Sequence, residues 1–137
     1  HKVCIIRGFT FYGRYILKEN YLISQIVKSV KLKKNLLIKN IKVQRSFMHA
    51  DDMCEWIIKI IKTSSTKCPI YNVGSDKIEN IEKLIHFLNR KYKSKIFFNK
   101  NKSKIKDFYV PNTNLVKKKL KLRSTINFKD AVSSLIN

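Results

Sequence analysis

Acidic residues are scarce in this chain. Nine Asp and Glu stand against 30 Lys and Arg, a formal net charge of +21 over 137 residues. Glycine occurs three times, at 8, 13 and 74, which excludes a glycine-rich phosphate loop. The three cysteines, Cys4, Cys54 and Cys68, have no metal-ligand spacing, and an odd, sparse set suits a reducing, cytoplasmic compartment. No apolar run approaches the ~20 residues of a membrane span, and no membrane partner is expected. His1 to Ile6 lack a signal-peptide pattern, and His1 is not a natural start residue, so the chain reads as a piece of a longer one. Histidine is limited to His1, His49 and His86, and none joins Cys or acids in a metal cluster. No nucleophile, base and orienting group stand together, so no catalytic set is visible.

What is present is a globular composition with 44% hydrophobic residues, enough for one domain and one modest core. The charge admits two readings. A basic chain suits a nucleic-acid partner. Here, though, the basic residues are 25 Lys and 5 Arg, spread along the chain and accompanied by abundant Ile and Asn. Those three residue types share AT-rich codons, so genome composition accounts for the mixture. Specific nucleic-acid binders concentrate charge and use arginine for bidentate contacts. No specific nucleic-acid partner is therefore expected.

Strand-like and helix-like segments alternate, which makes the class α/β. Val3 to Ile6 is a short apolar run, read as a strand buried on both faces, and a loop follows from Arg7 to Arg14. Leu22, Ile23, Ile26, Val27 and Val30 form a helical stripe. Leu36 to Ile38 is a second strand, followed by a polar turn around Asn40. Ile70 to Val73 is another strand buried on both faces, ending at Gly74. Asn80 caps a helix carrying Leu84, Ile85 and Leu88. Ile96 to Phe98 reads as a strand and Asn99 to Lys106 as a basic loop. A short helix over 112–122 turns Leu115, Val116 and Leu120 inward. The last helix opens with Asn127 and Asp130 near a capping box.

The organising stretch is Val43 to Met53. Arg45, Phe47 and His49 recur at period two, which predicts one strand. Asp51 and Asp52 follow where a helix starts and oppose its dipole. Met53, Trp56, Ile57, Ile60 and Ile61 supply that helix's apolar stripe. Arg45 is thus a cation on a rigid strand, suited to a phosphate or ribose edge as well as to a surface ion pair. His49 reads as a structural hydrogen-bonding residue, and His86 as solvent-facing.

Four segments in order resemble one family. Val3 to Gly13 is similar to R-x-F-N-x-x-G-P, Arg45 to Met53 to R-D-[FYW]-x-H-V-x-D, and Ile70 to Ser75 to Y-N-[VI]-G-[SG]. Tyr109 to Thr113 with Lys119 to Leu122 is similar to a closing Y-x-x-D-x-x-K-x-x-x-x-L-G-W. Together they resemble the C-terminal half of the extended short-chain dehydrogenase/reductases, the NAD-dependent nucleotide-sugar epimerases and dehydratases, with dTDP-glucose dehydratases nearest in flavour.

The resemblance implies the C-terminal part of a Rossmann-type NAD(P)-binding fold with a small α/β substrate-binding domain. Residues 1–137 would be one C-terminal fragment, with 1–8 and 70–74 as strands of the cofactor-domain sheet. It implies a nucleotide-diphosphate sugar bound by Thr10, Asn20, Leu36, Ile38, Arg45, Asn72 and Lys102, with Phe9 against the NAD(P) cofactor. A homodimer is implied for the complete enzyme. Thr10 replaces the family's loop asparagine, Arg14 its proline, and Ser46 the aspartate after the arginine. The catalytic Tyr/Lys pair and the glycine fingerprint are not in this sequence, so the chain alone is expected to be inactive. The alternative is a non-enzymatic basic module binding nucleic acid or another polyanion.

Overall fold

The computed structural model describes residues 1–16, 18–39, 44–99 and 108–137. The turn around Asn40, Lys102 and nearly all of the basic loop from Asn99 to Lys106 lie outside the described residues. In chain order the elements are β1 (Ile5–Gly8), β2 (Phe11–Tyr12), α1 (Leu22–Lys31), β3 (Leu36–Ile38), β4 (Gln44–Ser46), β5 (Met48–His49) and α2 (Ala50–Ile61). They continue with β6 (Ile70–Val73), β7 (Ile78–Glu79), α3 (Ile81–Tyr92), β8 (Ile96–Phe98), β9 (Phe108–Tyr109), α4 (Asn114–Leu120) and α5 (Phe128–Ile136).

The strands pair in four small sheets. β1 runs parallel to β6, β2 to β5 and β3 to β8. β4 sits between antiparallel β7 and parallel β9. Two hydrophobic cores result. In the first, the apolar stripes of α1, α3 and α5 close over β3 and β8, with Ile26, Ile85, Leu88 and Val132 fully enclosed. In the second, α2 and α4 cover one face of the β1–β6 sheet through Met53, Trp56, Ile60 and Val116 against Tyr71 and Val73.

Helix ends follow the expected chemistry. Asn80 accepts from the Lys83 N–H at 2.8 Å, and Asn127 from the Asp130 N–H at 3.2 Å. His49 is the cap of α2, its Nδ1 accepting from the Asp51 N–H at 3.3 Å. The His86 side chain is 65% exposed, as expected.

Several expectations are corrected. The strand predicted across Arg45 to His49 is two strands in different sheets. The backbone breaks at Phe47, which stacks on Phe128 in the first core, while Met48 enters the second. β1 is not buried on both faces. Ile5 and its register partner Ile70 are 44% and 42% exposed, because only one face of that sheet is covered. The loop after β1 contains β2, held by pairing with β5. Leu115 is 61% exposed, since α4 lasts only two turns and directs Val116 at the sheet instead. Ile61 also ends on the solvent side of α2. β7 and β9 were not anticipated: two residues are too few for a periodic signal.

Asp52 does more than oppose a dipole. Its buried carboxylate accepts from the Thr125 N–H at 3.1 Å, the Thr125 hydroxyl at 2.8 Å and the Ile126 N–H at 3.1 Å. One turn on, the Trp56 indole N–H donates to the Arg123 carbonyl at 3.3 Å. The two side chains clamp the start of α2 to the segment that leads into α5. Asp52→Ala leaves two backbone donors without this acceptor and is expected to cost about 3 kcal/mol, with Asp52→Asn losing less. Urea unfolding checks this, and a change under about 0.5 kcal/mol would contradict it.

A second acid fixes α4. Burial pushes the Asp76 carboxyl up, but the Lys117 ammonium at 2.5 Å and the Thr113 hydroxyl at 3.2 Å outweigh it and hold the carboxyl below its ordinary range. A depressed folded value gives stability above the unfolded pKa that is lost as pH falls through the folded one. Wild type is therefore expected to lose this component below about pH 4, whereas Asp76→Asn lacks it at every pH and shows a smaller drop in melting temperature over that range.

Candidate functional site

A cleft of about 340 Å³ opens between the loop after β1, the start of α1, and β4. Each wall is fixed by backbone contacts. The Phe9 N–H donates to the Val73 carbonyl at 2.9 Å, and the Met48 N–H donates to the Thr10 carbonyl at 3.1 Å. The loop is therefore tied to β6 on one side and β5 on the other. Arg45 stands in the middle strand of its sheet, in register with Glu79 and Tyr109. The Tyr109 ring lies 5.0 Å from the Phe9 ring.

The first turn of α1 forms the opposite wall through Asn20 to Ser24. Its cap residue, Tyr21, makes no side-chain cap, and no acid stands in the first turn. The helix thus brings the positive end of its dipole to the cleft without a carboxylate to neutralise it. The Ser24 hydroxyl donates to the Ile16 carbonyl at 2.8 Å and anchors this turn.

Beneath the cleft lies an aromatic floor. Tyr12 meets His49 and Phe128 edge-on, each at 5.3 Å, and Phe47 stacks on Phe128. Burial, aided by the fields of Glu79 and Asp52, raises the Tyr12 hydroxyl well above its ordinary value. Burial likewise raises the Glu79 carboxyl, against a lowering pull from Lys77. The arrangement is a rigid half-apolar slot with one guanidinium and one helix N-terminus, which suits binding of an anion attached to a flat or apolar group.

Of the residues singled out in the sequence, Phe9, Thr10, Asn20 and Arg45 meet in this cleft. Three others lie elsewhere. Leu36 lines a separate, wider groove on the far side of α1, and Ile38 is buried in the first core. Asn72 is on β6, where its amide donates to the Asn112 carbonyl at 3.1 Å and ties the strand to the approach to α4. Lys102 lies outside the described residues. Tyr12, Tyr21, Phe47 and Tyr109 were not anticipated as cleft residues. Tyr12 and Tyr109 stood inside quoted motifs, but only strand pairing shows that they converge.

Solved structures share this fold. RMD from Pseudomonas aeruginosa, complexed with NADPH, is 16% identical with a TM-score of 0.82, over 98% of this chain and 46% of that one. DesIV, a dTDP-glucose 4,6-dehydratase from Streptomyces venezuelae with NAD and TYD bound, is 18% identical with a TM-score of 0.79, over 98% and 42%. UDP-N-acetylglucosamine 4-epimerase from Bacillus cereus is 21% identical with a TM-score of 0.74, over 97% and 45%. The chain spans less than half the length of each. Its α/β architecture is thus that of a Rossmann-type fold. A family model, NAD dependent epimerase/dehydratase, matches residues 1–74, and the chain belongs to that family. No curated protein matches it in sequence.

Gly74 keeps the cleft wall in place. A Cβ there would stand 2.9 Å from the Phe9 Cβ and 3.0 Å from the Pro111 Cγ, two residues beyond Tyr109. Gly74→Ala is expected to push these apart and cost about 1–3 kcal/mol. Gly8→Ala is the control, since its Cβ would meet only the Met53 Cε at 3.9 Å. Thermal melting of both variants checks the contrast, and equal melting temperatures would contradict it.

Proposed function

We propose that this chain is the substrate-binding half of an NAD-dependent nucleotide-sugar epimerase or dehydratase, and that the cleft takes the nucleotide diphosphate of the sugar donor. One observation carries the reading: Arg45, on a central strand, faces the same cleft as the uncapped, acid-free N-terminus of α1. A guanidinium offers planar paired donors and a helix N-terminus offers backbone N–H groups, a combination that matches a diphosphate. Thr10 and Asn20 add neutral polar groups, and the Phe9 and Tyr109 rings supply apolar faces. Family membership supports the same choice.

NAD(P) is the cofactor this reading implies. Phe9, held by Val73 beside Gly74, fits the margin of a dinucleotide site, while three scattered glycines do not form its phosphate cradle. When bound, NAD(P) supplies the hydride-transfer chemistry. The residues of this chain orient the sugar nucleotide against it. β1 and β6 belong to the cofactor-domain sheet in this reading, which their parallel pairing supports, and α2 and α4 join that layer through the second core. In this reading the chain contributes substrate binding, and turnover needs residues outside it.

Arg45→Ala is expected to weaken binding of UDP- or dTDP-sugars by roughly ten- to a hundred-fold, the loss of a charged hydrogen-bonding partner worth about 1.5–3 kcal/mol. Arg45→Lys restores only part, because it keeps the charge and loses the fork. Calorimetric titration of the three proteins tests this. Unchanged affinity in a folded Arg45→Ala variant would overturn the reading.

A further inference from the structure

No Asp or Glu occurs between Glu19 and Asp51, nor between Glu82 and Asp107. The fold brings the parts of these runs at β3 and β8 side by side. α1 and α3 both end where parallel β3 and β8 begin, with Leu36 opposite Ile96. The two connections, Lys33–Lys34–Asn35 and Lys93–Ser94–Lys95, are therefore neighbours, and all four lysines are exposed. Next in register along the strands, Leu37 faces Phe97, and these two are 61% and 54% exposed on the uncovered side of the sheet. Lys39, also exposed, follows two residues after Leu37 on the same face.

Lys33 and Lys93 both have φ of 51°, the left-handed region in which glycine is favoured at helix ends. Both positions carry a charged side chain at a cost in stability. The patch lies at the opposite end of α1 from the cleft, about 15 Å away for a ten-residue helix.

We propose that this pole docks on the surface of an anionic lipid bilayer, with Leu37 and Phe97 entering the interface and the lysines resting among the headgroups. Charge complementarity selects an anionic partner. The exposed Leu37–Phe97 pair selects a lipid surface over a nucleic acid, which is read through arginine forks and base contacts. No helix among the described residues is long and apolar enough to cross a membrane.

Vesicle co-sedimentation of the protein at about 0.1 M salt tests this, using phosphatidylcholine with and without about 30% phosphatidylserine. Binding is expected only to the serine-containing vesicles. The double variant Lys33→Gly/Lys93→Gly is expected to bind about thirtyfold more weakly, yet to melt at a higher temperature, because glycine relieves both left-handed positions. Leu37→Ser/Phe97→Ser is expected to lose about tenfold at unchanged charge. The charge-matched control Lys2→Gln/Lys67→Gln, on the other core, is expected to change little. Absence of binding overturns the proposal, as does equal loss in the control, which would mean diffuse attraction. Indifference to the Leu37/Phe97 change, with an oligonucleotide displacing the vesicles, would reassign the pole to nucleic acid.

Discussion

The break in the backbone at Phe47 is the constraint on which the rest of the structure depends. Over six residues the chain passes from a central strand through one core and into the other. Arg45 is held between β7 and β9, Phe47 stacks on Phe128, Met48 enters the second core, and His49 caps α2. The cation of the cleft is thus anchored to both cores at once. Asp52 then locks the same segment to the backbone before α5. A guanidinium placed this way loses little further freedom when an anion binds, which is the energetic use of a rigid scaffold.

Among the described residues, most ion pairs lie at the surface and contribute little, with Asp76–Lys117 the exception that fixes α4. Lys28–Glu19 and Lys59–Glu55 are surface pairs, the kind that contributes about 0–1 kcal/mol. The buried carboxylate of Asp52 acts through hydrogen bonds to backbone. With acids so few, most lysines face solvent and repel one another, and the two apolar cores supply the cohesion. The same excess of positive charge sets the long-range field that any anionic ligand meets first.

The sequence made the long periodic elements legible. The stripes of α1 and α3 and the apolar runs of β3 and β8 form as read, because helical and strand periods need several residues to register, while Ile61 of α2 and Ile70 of β6 turn to solvent against the reading. The two-residue strands had no such signal. Phe47 was misread for a sharper reason: its period-two pattern continues across the break, and only the competition of two cores for adjacent side chains interrupts the strand. The role of Asp52 was also out of reach, because its partners Thr125 and Ile126 are 73 and 74 residues away. Phe9, Thr10 and Arg45, which stand in quoted motifs, and Asn20, which the resemblance alone implied, line one cleft. Asn72 also stands in a quoted motif, but in this chain its amide is engaged with the Asn112 carbonyl.

The most direct test of the central claim is an amide-resolved NMR titration of the protein with UDP and dTDP up to about 1 mM. The account predicts shift changes concentrated at Thr10, at Asn20 to Ser24 and around Arg45, with the Lys33–Lys93 pole silent. Changes confined to the pole, or none in the cleft at that concentration, would contradict it.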